Sequence, residues 1–418
     1  MNTQHRALVI PALIVLIALP FMVSCKTLSR LQPTPSPTVS VPLPGTPQAT
    51  GTNVSLTPTP GSDKWDSKIV NSGLAAKHFL VSPDGAFVAL CTSEKSAVWS
   101  IRLSDASRQQ VGNAQGCTLA WRPRSHELLI LQETPAGSGV GAIMLADLDK
   151  STGAMQTLVS GGVRQFEPAP DGTRIAYQTG GGGPLASLWI MNLTDSTRVL
   201  VTSGALGWFG WSPDGQALLY GVNTQIELKR GGDSGYLVRY DLASGRYLHV
   251  TPDFQKLGQP YWSPDGRWIG LNAMPGGAQN LSAFVVMSDG LKLHSLMGGP
   301  PSVIQGWSAD GTRILFSTND PAAPEQGLWQ NTVDQGTNTL MTKVKGSIEA
   351  ASISPDGKLV AVLEEKQTLA IISRDGTAAI LANDVAAGDQ TPAMQWLSPT
   401  VIAYLTHSGD IRIAAAHP

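Results

Sequence analysis

Histidines are the side chains of this sequence best suited to proton transfer or metal binding, and they are scattered along the chain. They lie at His5, His78, His126, His249, His294, His407 and His417. No two of them have the spacing of metal ligands, and none adjoins a cluster of cysteines. We therefore predict no metal site and no other cofactor.

The motifs that build catalytic centres are also missing from the sequence. No G-x-S-x-G nucleophile elbow occurs, and the nearest string, Gly231–Gly235, has the wrong spacing. No Gly-rich phosphate loop followed by Lys and Ser or Thr occurs either. The run Asp147–Gly153 looks like the start of a calcium loop, but Leu158 stands where that loop needs a bidentate Glu. We therefore predict no catalytic residue and a protein that is not an enzyme.

The charge balance excludes one large class of partners. The chain has 29 Lys and Arg against 31 Asp and Glu, and only 14% of its residues are charged. Proteins that bind nucleic acid through its phosphates carry a basic patch, and no basic cluster occurs here. We expect no nucleic-acid partner and a monomer.

The first 25 residues have the pattern of an export signal. Arg6 precedes an apolar run at 7–23, and Ser24 and Cys25 follow it. Residues 22–25, Met-Val-Ser-Cys, resemble the lipobox of bacterial lipoproteins, which implies cleavage before Cys25 and acylation of its thiol. We predict a signal peptide at 1–24 and a membrane anchor at Cys25, at the cell surface or in the periplasm. An uncleaved anchor and plain secretion are the alternatives, and all three place the body outside the cytoplasm.

A tract rich in Pro, Thr and Ser follows the cysteine. Residues 25–64 bury too little apolar surface to fold, and their prolines favour an extended chain. We predict a disordered tether that holds the body, residues 65–418, away from the membrane.

The body is a repeat array. The copies are VSPDGAFVAL from Val81, WRPRSHELLIL from Trp121, APDGTRIAY from Ala169, WSPDGQALLY from Trp211, WSPDGRWIGL from Trp262, WSADGTRILF from Trp307, ISPDGKLVAV from Ile353 and WLSPTVIAYL from Trp396. Successive copies are 40 to 51 residues apart. Each reads as a strand, a turn in which Gly supplies a positive φ, and a second strand. A period in the forties of this kind indicates a β-propeller.

A second strand-turn-strand signature lies about 25 residues after each copy, as in LVRYDLASGRYLHV. Each unit therefore has four antiparallel strands, a to d. The eighth unit lacks a fourth strand, and residues 67–70 before the first repeat are the candidate that completes it and removes an exposed edge. We predict an all-β, eight-bladed propeller closed by the N-terminal strand, with seven blades as the alternative.

The W-S-P-D-G-x-x-[IL]-x-[FY] pattern resembles the WD40-like propeller repeat of TolB-type envelope proteins and the propellers of prolyl-oligopeptidase-like enzymes. The resemblance covers roughly residues 65–418. Since TolB-type proteins are non-catalytic scaffolds for envelope proteins, it implies a binding role.

Strand alternation divides the connections between two sides of the body. The a–b and c–d turns lie on the side that we call the turn side, and the b–c loops and d–a segments lie on the loop side. The b–c loops differ from unit to unit, and varied loops on a rigid scaffold usually carry binding. They include Glu133–Gly141, Thr179–Pro184, Asn223–Gly235, Ala273–Asn280 and Asn319–Gly327.

Eight residues near the loop side are the predicted binding set. They are Phe166, Trp208, Phe209, Glu227, Lys229, Arg230, Asp233 and Tyr261. Trp208 stands out because it lies outside the two registers at which tryptophans recur from unit to unit. We predict that this side docks a protein, peptide or glycan. A hydrolase or lyase with carboxylates in the central channel is one alternative, and a purely structural envelope protein is another.

Two cysteines lie in the folded body. Cys91 is predicted on strand b of the first unit and Cys117 on strand a of the second. Adjacent blades pack face to face, so the two could form a disulfide in an exported protein. Two buried thiols are the alternative.

Overall fold

The computed structural model describes residues 65–416 except 72, 93–95, 115–116, 134–139, 151–154, 181–185, 225–233, 299, 319–325, 345, 374–375 and 387–392. Within these residues the regular structure consists of 31 β-strands and no α-helix, which confirms the all-β prediction. No helix among them is long and apolar enough to cross a membrane. The predicted signal, Cys25 and the tether lie outside the described residues.

The strands of the first half of the body follow one another closely along the chain. They are β1 (Trp65–Ile69), β2 (Ala76–Val81), β3 (Phe87–Thr92), β4 (Ala97–Arg102), β5 (Arg108–Asn113), β6 (Leu119–Trp121), β7 (Glu127–Glu133), β8 (Gly141–Asp147), β9 (Met155–Pro168), β10 (Arg174–Thr179), β11 (Ser187–Asn192), β12 (Arg198–Ser203), β13 (Ala205–Trp211), β14 (Ala217–Asn223), β15 (Gly235–Asp241) and β16 (Tyr247–His249).

The second half continues in the same way. Its strands are β17 (Lys256–Trp262), β18 (Trp268–Met274), β19 (Ser282–Met287), β20 (His294–Ser295), β21 (Val303–Trp307), β22 (Arg313–Thr318), β23 (Gly327–Thr332), β24 (Thr337–Lys343), β25 (Ile348–Ile353), β26 (Leu359–Glu364), β27 (Thr368–Ser373), β28 (Ala378–Ala382), β29 (Met394–Ser398), β30 (Val401–Leu405) and β31 (Ile411–Ala416).

These strands form seven antiparallel sheets of four to seven strands. Five sheets are runs of four consecutive strands: β2–β5, β13–β16, β17–β20, β21–β24 and β25–β28. The sheet β6–β12 has seven strands, because the 14-residue β9 ends one four-stranded unit and begins the next. The last sheet has the order β1-β31-β30-β29, so its first and last strands come from the two ends of the body.

The first strands of most successive units lie side by side. β2 contacts β6, β6 contacts β9, β9 contacts β13, β13 contacts β17, β21 contacts β25, and β29 contacts β2. We call the set of first strands the inner strands; they are β2, β6, the end of β9 from Val163, β13, β17, β21, β25 and β29. This succession is the propeller-like arrangement that the repeat predicts.

The turn that follows most inner strands is fixed by its own side chains. Ser212 Oγ donates to Asp214 Oδ1 (2.6 Å) and accepts from the N–H of Ala217 (2.8 Å). Asp214 Oδ1 also accepts from the N–H of Gln216 (2.9 Å), and Gly215 takes a φ of 67°. The same Ser–Asp pattern recurs at Ser82, Ser263, Ser308 and Ser354. The repeat therefore encodes a rigid five-residue turn.

The core lies between neighbouring sheets. One cluster joins Ala176 and Ile190 of one unit to Trp211 and Leu218 of the next. A cluster of the same kind joins strands β2–β4 to β30 and β31, at the two ends of the body. Each sheet thus buries its apolar faces against its neighbours rather than within itself.

The N-terminal strand pairs with the C-terminal one. Residues Trp65–Ile69 of β1 pair with Arg412–Ala416 of β31. The pairing strand therefore starts two residues before the segment 67–70 that the sequence indicated. The buried Asn71 then holds the junction, since its Nδ2 donates to the carbonyl of Gly409 (2.7 Å) and its Oδ1 accepts from the N–H of Ile411 (2.6 Å).

Tryptophans at the end of the inner strands hydrogen-bond to the preceding unit. Trp211 Nε1 donates to the carbonyl of Glu167 at 3.1 Å. Equivalent bonds run from Trp121 to Leu80, from Trp307 to Tyr261 and from Trp396 to Ser352. Trp262 holds the same position, but its buried Nε1 has no hydrogen-bond partner in the described residues.

This difference provides a stability test. Trp211→Phe removes a hydrogen bond and leaves the Glu167 carbonyl without its donor, whereas Trp262→Phe removes a donor that has no partner. We expect Trp211→Phe to lower the free energy of unfolding by about 1–2 kcal/mol more than Trp262→Phe. Urea unfolding of both variants measures the difference, and equal losses would contradict the role given to the indole bond.

Candidate functional site

Two of the predicted aromatic residues belong to the core. Phe166 of β9 and Phe209 of β13 are 6% and 3% exposed and lie in clusters between neighbouring sheets. Both stand two residues before the position of the repeat tryptophan, where the side chain points into the preceding unit. They stabilise the fold, and a ligand outside the core does not reach them.

The other two described aromatics lie on the opposite side of the inner strands. Trp208 is half-buried and packs on the cluster that contains Leu257, so it faces the unit that follows its own. Tyr261 is 37% exposed, and its carbonyl accepts the indole bond from Trp307. Both residues lie within strands β13 and β17 and not in the connecting loops. Partial burial raises the pKa of the Tyr261 hydroxyl above its usual value.

The charged members of the predicted set cannot be placed. Glu227, Lys229, Arg230 and Asp233 lie in the segment 225–233, outside the described residues.

The residue before the repeat tryptophan forms a row that sequence analysis missed. It comprises Leu80, Ala120, Glu167, Gly210, Tyr261, Gly306, Ser352 and Gln395, all of them at least partly exposed. We call it the inner row. Comparing the residue just before the tryptophan position across the eight copies would have revealed this row. Glu167 would then have stood out as its one charged member.

Glu167 is a carboxyl group on the described inner strands whose pKa is clearly shifted. Burial raises its pKa to about 7, and the backbone N–H of Trp211 offsets that rise in part. Its Oε2 lies over Gly210 of β13, where a Cβ would be only 3.9 Å away. A carboxyl group of this kind is present in both protonation states near neutral pH, so it can donate or accept a hydrogen bond.

The two sides of the body differ in how uniform their connections are. Among the described strands, the connection between first and second strands has five residues in seven of eight cases. The connection between second and third strands varies from three to eleven residues. The variation among units is therefore concentrated on the loop side.

Three cavities lie on the turn side, each between neighbouring units. Their volumes are about 480, 360 and 350 Å³. Because they recur at equivalent places along turns such as Ser212–Gln216, the fold itself produces them. The largest differs from the others in that it contains a histidine and several carboxylates.

His126 bridges two units across this largest cavity. Its Nε2 lies 2.8 Å from Asp84 Oδ2 of the preceding turn, and its Nδ1 lies 2.8 Å from Asp149 Oδ1. The ring also packs on Phe87 at a centroid distance of 4.9 Å. The hydrogen bonds to Asp84 and Asp149 raise the pKa of His126, and those from Ser82 and His126 lower the pKa of Asp84. Glu127, Asp147 and Arg124 are the other charged groups that line this space.

The bridge predicts a pH-dependent contribution to stability. A group whose pKa is raised on folding stabilises below its unfolded value of about 6.5, and that contribution disappears as pH rises through the folded pKa. We expect the stability difference between wild type and His126→Ala to be larger at about pH 5.5 than at about pH 9. Thermal unfolding at both pH values measures it.

Asp149→Asn is the matched control, because it keeps the histidine and removes one of its two carboxylates. It should reduce the pH dependence without abolishing it. If the stability difference between wild type and His126→Ala is the same at both pH values, the bridge is not ionic.

A disulfide joins Cys91 to Cys117, with the two Cα atoms 5.7 Å apart. Cys91 lies in β3 as expected, whereas Cys117 lies two residues before β6 and not within it. The bond links two neighbouring sheets and is buried.

No group of three or more His, Cys, Asp or Glu side chains that could hold a metal ion occurs among the described residues. On the described inner strands, the carboxylates are Glu167 and Glu349 and the histidine is His78. These residues lie on three different strands.

Comparisons with known proteins indicate the fold of this chain but not its activity. No family model matches the chain. An uncharacterized protein of Agrobacterium fabrum is 26% identical over 158 residues, which is 36% of this chain and 50% of that protein. The chain thus aligns with about half the length of the curated relative it matches.

Similar solved structures include an oligogalacturonate lyase in complex with manganese, with 15% identity, a TM-score of 0.53 and coverage of 82% of this chain and 99% of that one. TolB from Acinetobacter baumannii has 15% identity, a TM-score of 0.39 and coverage of 81% and 78%. A β-propeller domain from Myceliophteria thermophila has 13% identity, a TM-score of 0.49 and coverage of 84% and 100%. At these identities the likeness concerns the fold alone: an all-β body whose similar structures include β-propeller proteins.

Proposed function

We propose that this chain is a membrane-tethered binding protein outside the cytoplasm, whose loop side docks a protein, peptide or glycan. In this proposal residues 1–24 are a signal peptide, lipidated Cys25 and residues 26–64 are the anchor and tether, and residues 65–418 are a monomeric propeller. The uniform turn side and variable loop side are the observation that carries the proposal.

Eight blades closed by the N-terminal strand are the architecture we propose for the body. Eight pairs of first and second strands support this count, from β2–β3 to β29–β30. The seven-stranded sheet supplies two of the blades, because β9 serves both. The pairing of β1 with β31 supports closure, since it supplies the last blade with its fourth strand.

Location outside the cytoplasm is supported by the disulfide and the export pattern together. Disulfides persist in oxidising compartments and are rare in the cytosol. The Cys91–Cys117 bond and the apolar run that ends at Cys25 therefore agree.

The uniform turns argue for docking on the loop side. A turn of fixed length held by the same Ser–Asp bond presents the same backbone in five of the eight units, so it offers little to distinguish one partner from another. The b–c loops differ in length and sequence on a rigid frame, as in other scaffolds that place binding in loops.

Photocrosslinking tests the side on which a partner docks. A photoreactive residue is placed at exposed Gln279 or Lys366 of the b–c loops, or at exposed Gln216 or Lys358 of the a–b turns, in the full chain within producing cells. We expect light-dependent adducts from the loop positions and none from the turn positions. Adducts from the turn positions, or from no position, would contradict the proposed docking side.

A lyase is the second candidate function, and Glu167 is the observation that favours it. A carboxyl group with a pKa of about 7 is suited to general acid–base work near neutral pH. Of the other two acid–base groups on the described inner strands, Glu349 lies on β25, and His78 lies on β2 with its pKa lowered by burial to about 4.

An elimination assay separates the two functions. β-Elimination in a uronate chain forms a C=C bond conjugated with the carboxylate, which absorbs ultraviolet light. Because we propose a binding protein, we expect no increase in absorbance when the full chain, with and without added manganese, is incubated with oligogalacturonate. An increase that Glu167→Gln abolishes would establish the lyase instead.

A further inference from the structure

One of the three turn-side cavities differs from the other two in the charge of its lining. It lies between the units β21–β24 and β25–β28 and has a volume of about 360 Å³. Among the described residues, its charged lining groups are Arg313 and Lys358, and no Asp or Glu lines it. The other two cavities are lined by four and by two carboxylates. We call this space the cationic cavity.

The same sequence, D-G-T-R-I, leads into the second strand of two units, and its arginines are Arg174 and Arg313. In the first of these units the fold uses the arginine fully. Arg174 Nη2 donates to Asp171 Oδ2 and to the carbonyl of Gly215, both at 3.0 Å. Its guanidinium also lies over the ring of Trp211, 5.6 Å from the ring centroid. Arg174 is therefore a structural residue.

Arg313 has a different environment because the next unit has Ile353 where Trp211 stands in the other case. Its Nη2 lies against Gly357 of that unit, where a Cβ would be only 2.7 Å away. Among the described residues, the guanidinium makes one hydrogen bond, to Gln330 Oε1, and it is long at 3.5 Å. Since a guanidinium carries five N–H donors, most of those of Arg313 remain available beside the space that the smaller Ile353 leaves.

The carboxylates near the two cations lie outside the lining. Asp310 is close enough for the charge of Arg313 to act on it, but its Oδ1 accepts its hydrogen bonds within its own turn. Asp356 Oδ2 lies 3.3 Å from Lys358 Nζ in an exposed ion pair. Exposed pairs of this kind are weak, so Lys358 can exchange its carboxylate for an anion in the cavity.

The rest of the lining combines apolar walls with neutral hydrogen-bonding groups. The aliphatic residues are Leu340, Met341, Ile353, Val360 and Ile372, and the hydroxyls of Thr332 and Thr339 lie among them. A cavity of a few hundred Å³ with apolar walls and a few polar groups suits a small molecule. A guanidinium pairs with two oxygens of a carboxylate or a phosphate, so these walls and cations together match an anion with an apolar body.

We propose that the cationic cavity binds a small organic anion, whose carboxylate or phosphate pairs with Arg313 and Lys358 and whose apolar part packs on Ile353. The site lies on the turn side and takes a small molecule, whereas the partner proposed for the loop side is a macromolecule. Binding in the cationic cavity and adducts at the loop side are therefore independent results, and failure of one does not decide the other.

Three probes of equal shape test the charge of the ligand. The full chain is titrated with benzoate, phenyl phosphate and the neutral benzamide, with saturation-transfer NMR at one fixed, low ionic strength. We expect benzoate or phenyl phosphate to bind saturably with a Kd of about 1 mM, as suits a ligand of this size. Benzamide should bind at least about tenfold more weakly. The anion that binds more tightly identifies the group as a carboxylate or a phosphate.

Two variants locate the binding. Arg313→Gln removes the guanidinium, and Ile353→Trp fills the cavity with the ring that five of the eight units have at this position. Each should raise the Kd of the anion at least about tenfold. Arg267→Gln is the matched control and should leave the Kd unchanged, because Arg267 is an exposed turn-side arginine that pairs with Asp334 outside the cavity.

Thermal unfolding separates a ligand-binding arginine from a structural one. Arg174→Gln should lower the unfolding temperature, since it leaves Asp171 without its ion pair, whereas Arg313→Gln should leave it nearly unchanged. Absence of saturable binding by both anions, equal binding of benzamide, or an unchanged Kd in Arg313→Gln would each overturn the proposal. An equal loss of stability in Arg174→Gln and Arg313→Gln would do so too, because Arg313 would then be a structural residue.

Discussion

Burial of both faces of every sheet by its neighbours is the constraint on which this structure depends. Strands such as β3 and β26 are buried almost throughout, so their sheets would expose apolar surface on both sides if they stood alone. Clusters that join each unit to the next remove that surface from water. Since the two ends of the body face the same problem, the pairing of β1 with β31 and the cluster around Phe79 and Leu405 are consequences of the same requirement.

The indole bonds show how this constraint fixes the inner strands in register. Except for Trp262, each repeat tryptophan also donates a hydrogen bond to a carbonyl of the preceding unit, as Trp211 does to Glu167. Consequently the residue just before each tryptophan points away from the preceding unit. The inner row contains side chains as different as Glu167, Tyr261 and Gly306, whereas five of the eight units have tryptophan at the next position.

Local patterns predicted the turns and strands well because their causes are local. Ser, Asp and Gly of each turn bond within five residues, and the four-strand unit follows from the repeat. The continuous β9 and the earlier start of β1 depend on pairing partners and were missed. Phe166 and Glu167 show the same limit at the site: adjacent in sequence, one is core and the other lies over Gly210, which only the packing of two units decides.

Polar side chains meet at two different places between neighbouring units. His126 reaches Asp84 of the preceding unit on the turn side, where each ring nitrogen is already taken by a carboxylate and the group serves to connect two sheets. Glu167 lies on the inner row, where its carboxyl group is buried next to Gly210 and accepts a hydrogen bond from the backbone N–H of Trp211. The pKa of each group is raised, but for a different reason. Hydrogen bonds to two carboxylates raise the pKa of His126, whereas desolvation raises that of Glu167. The two groups therefore differ in kind: His126 joins two sheets through charged partners, whereas burial keeps the Glu167 carboxyl group partly protonated near neutral pH.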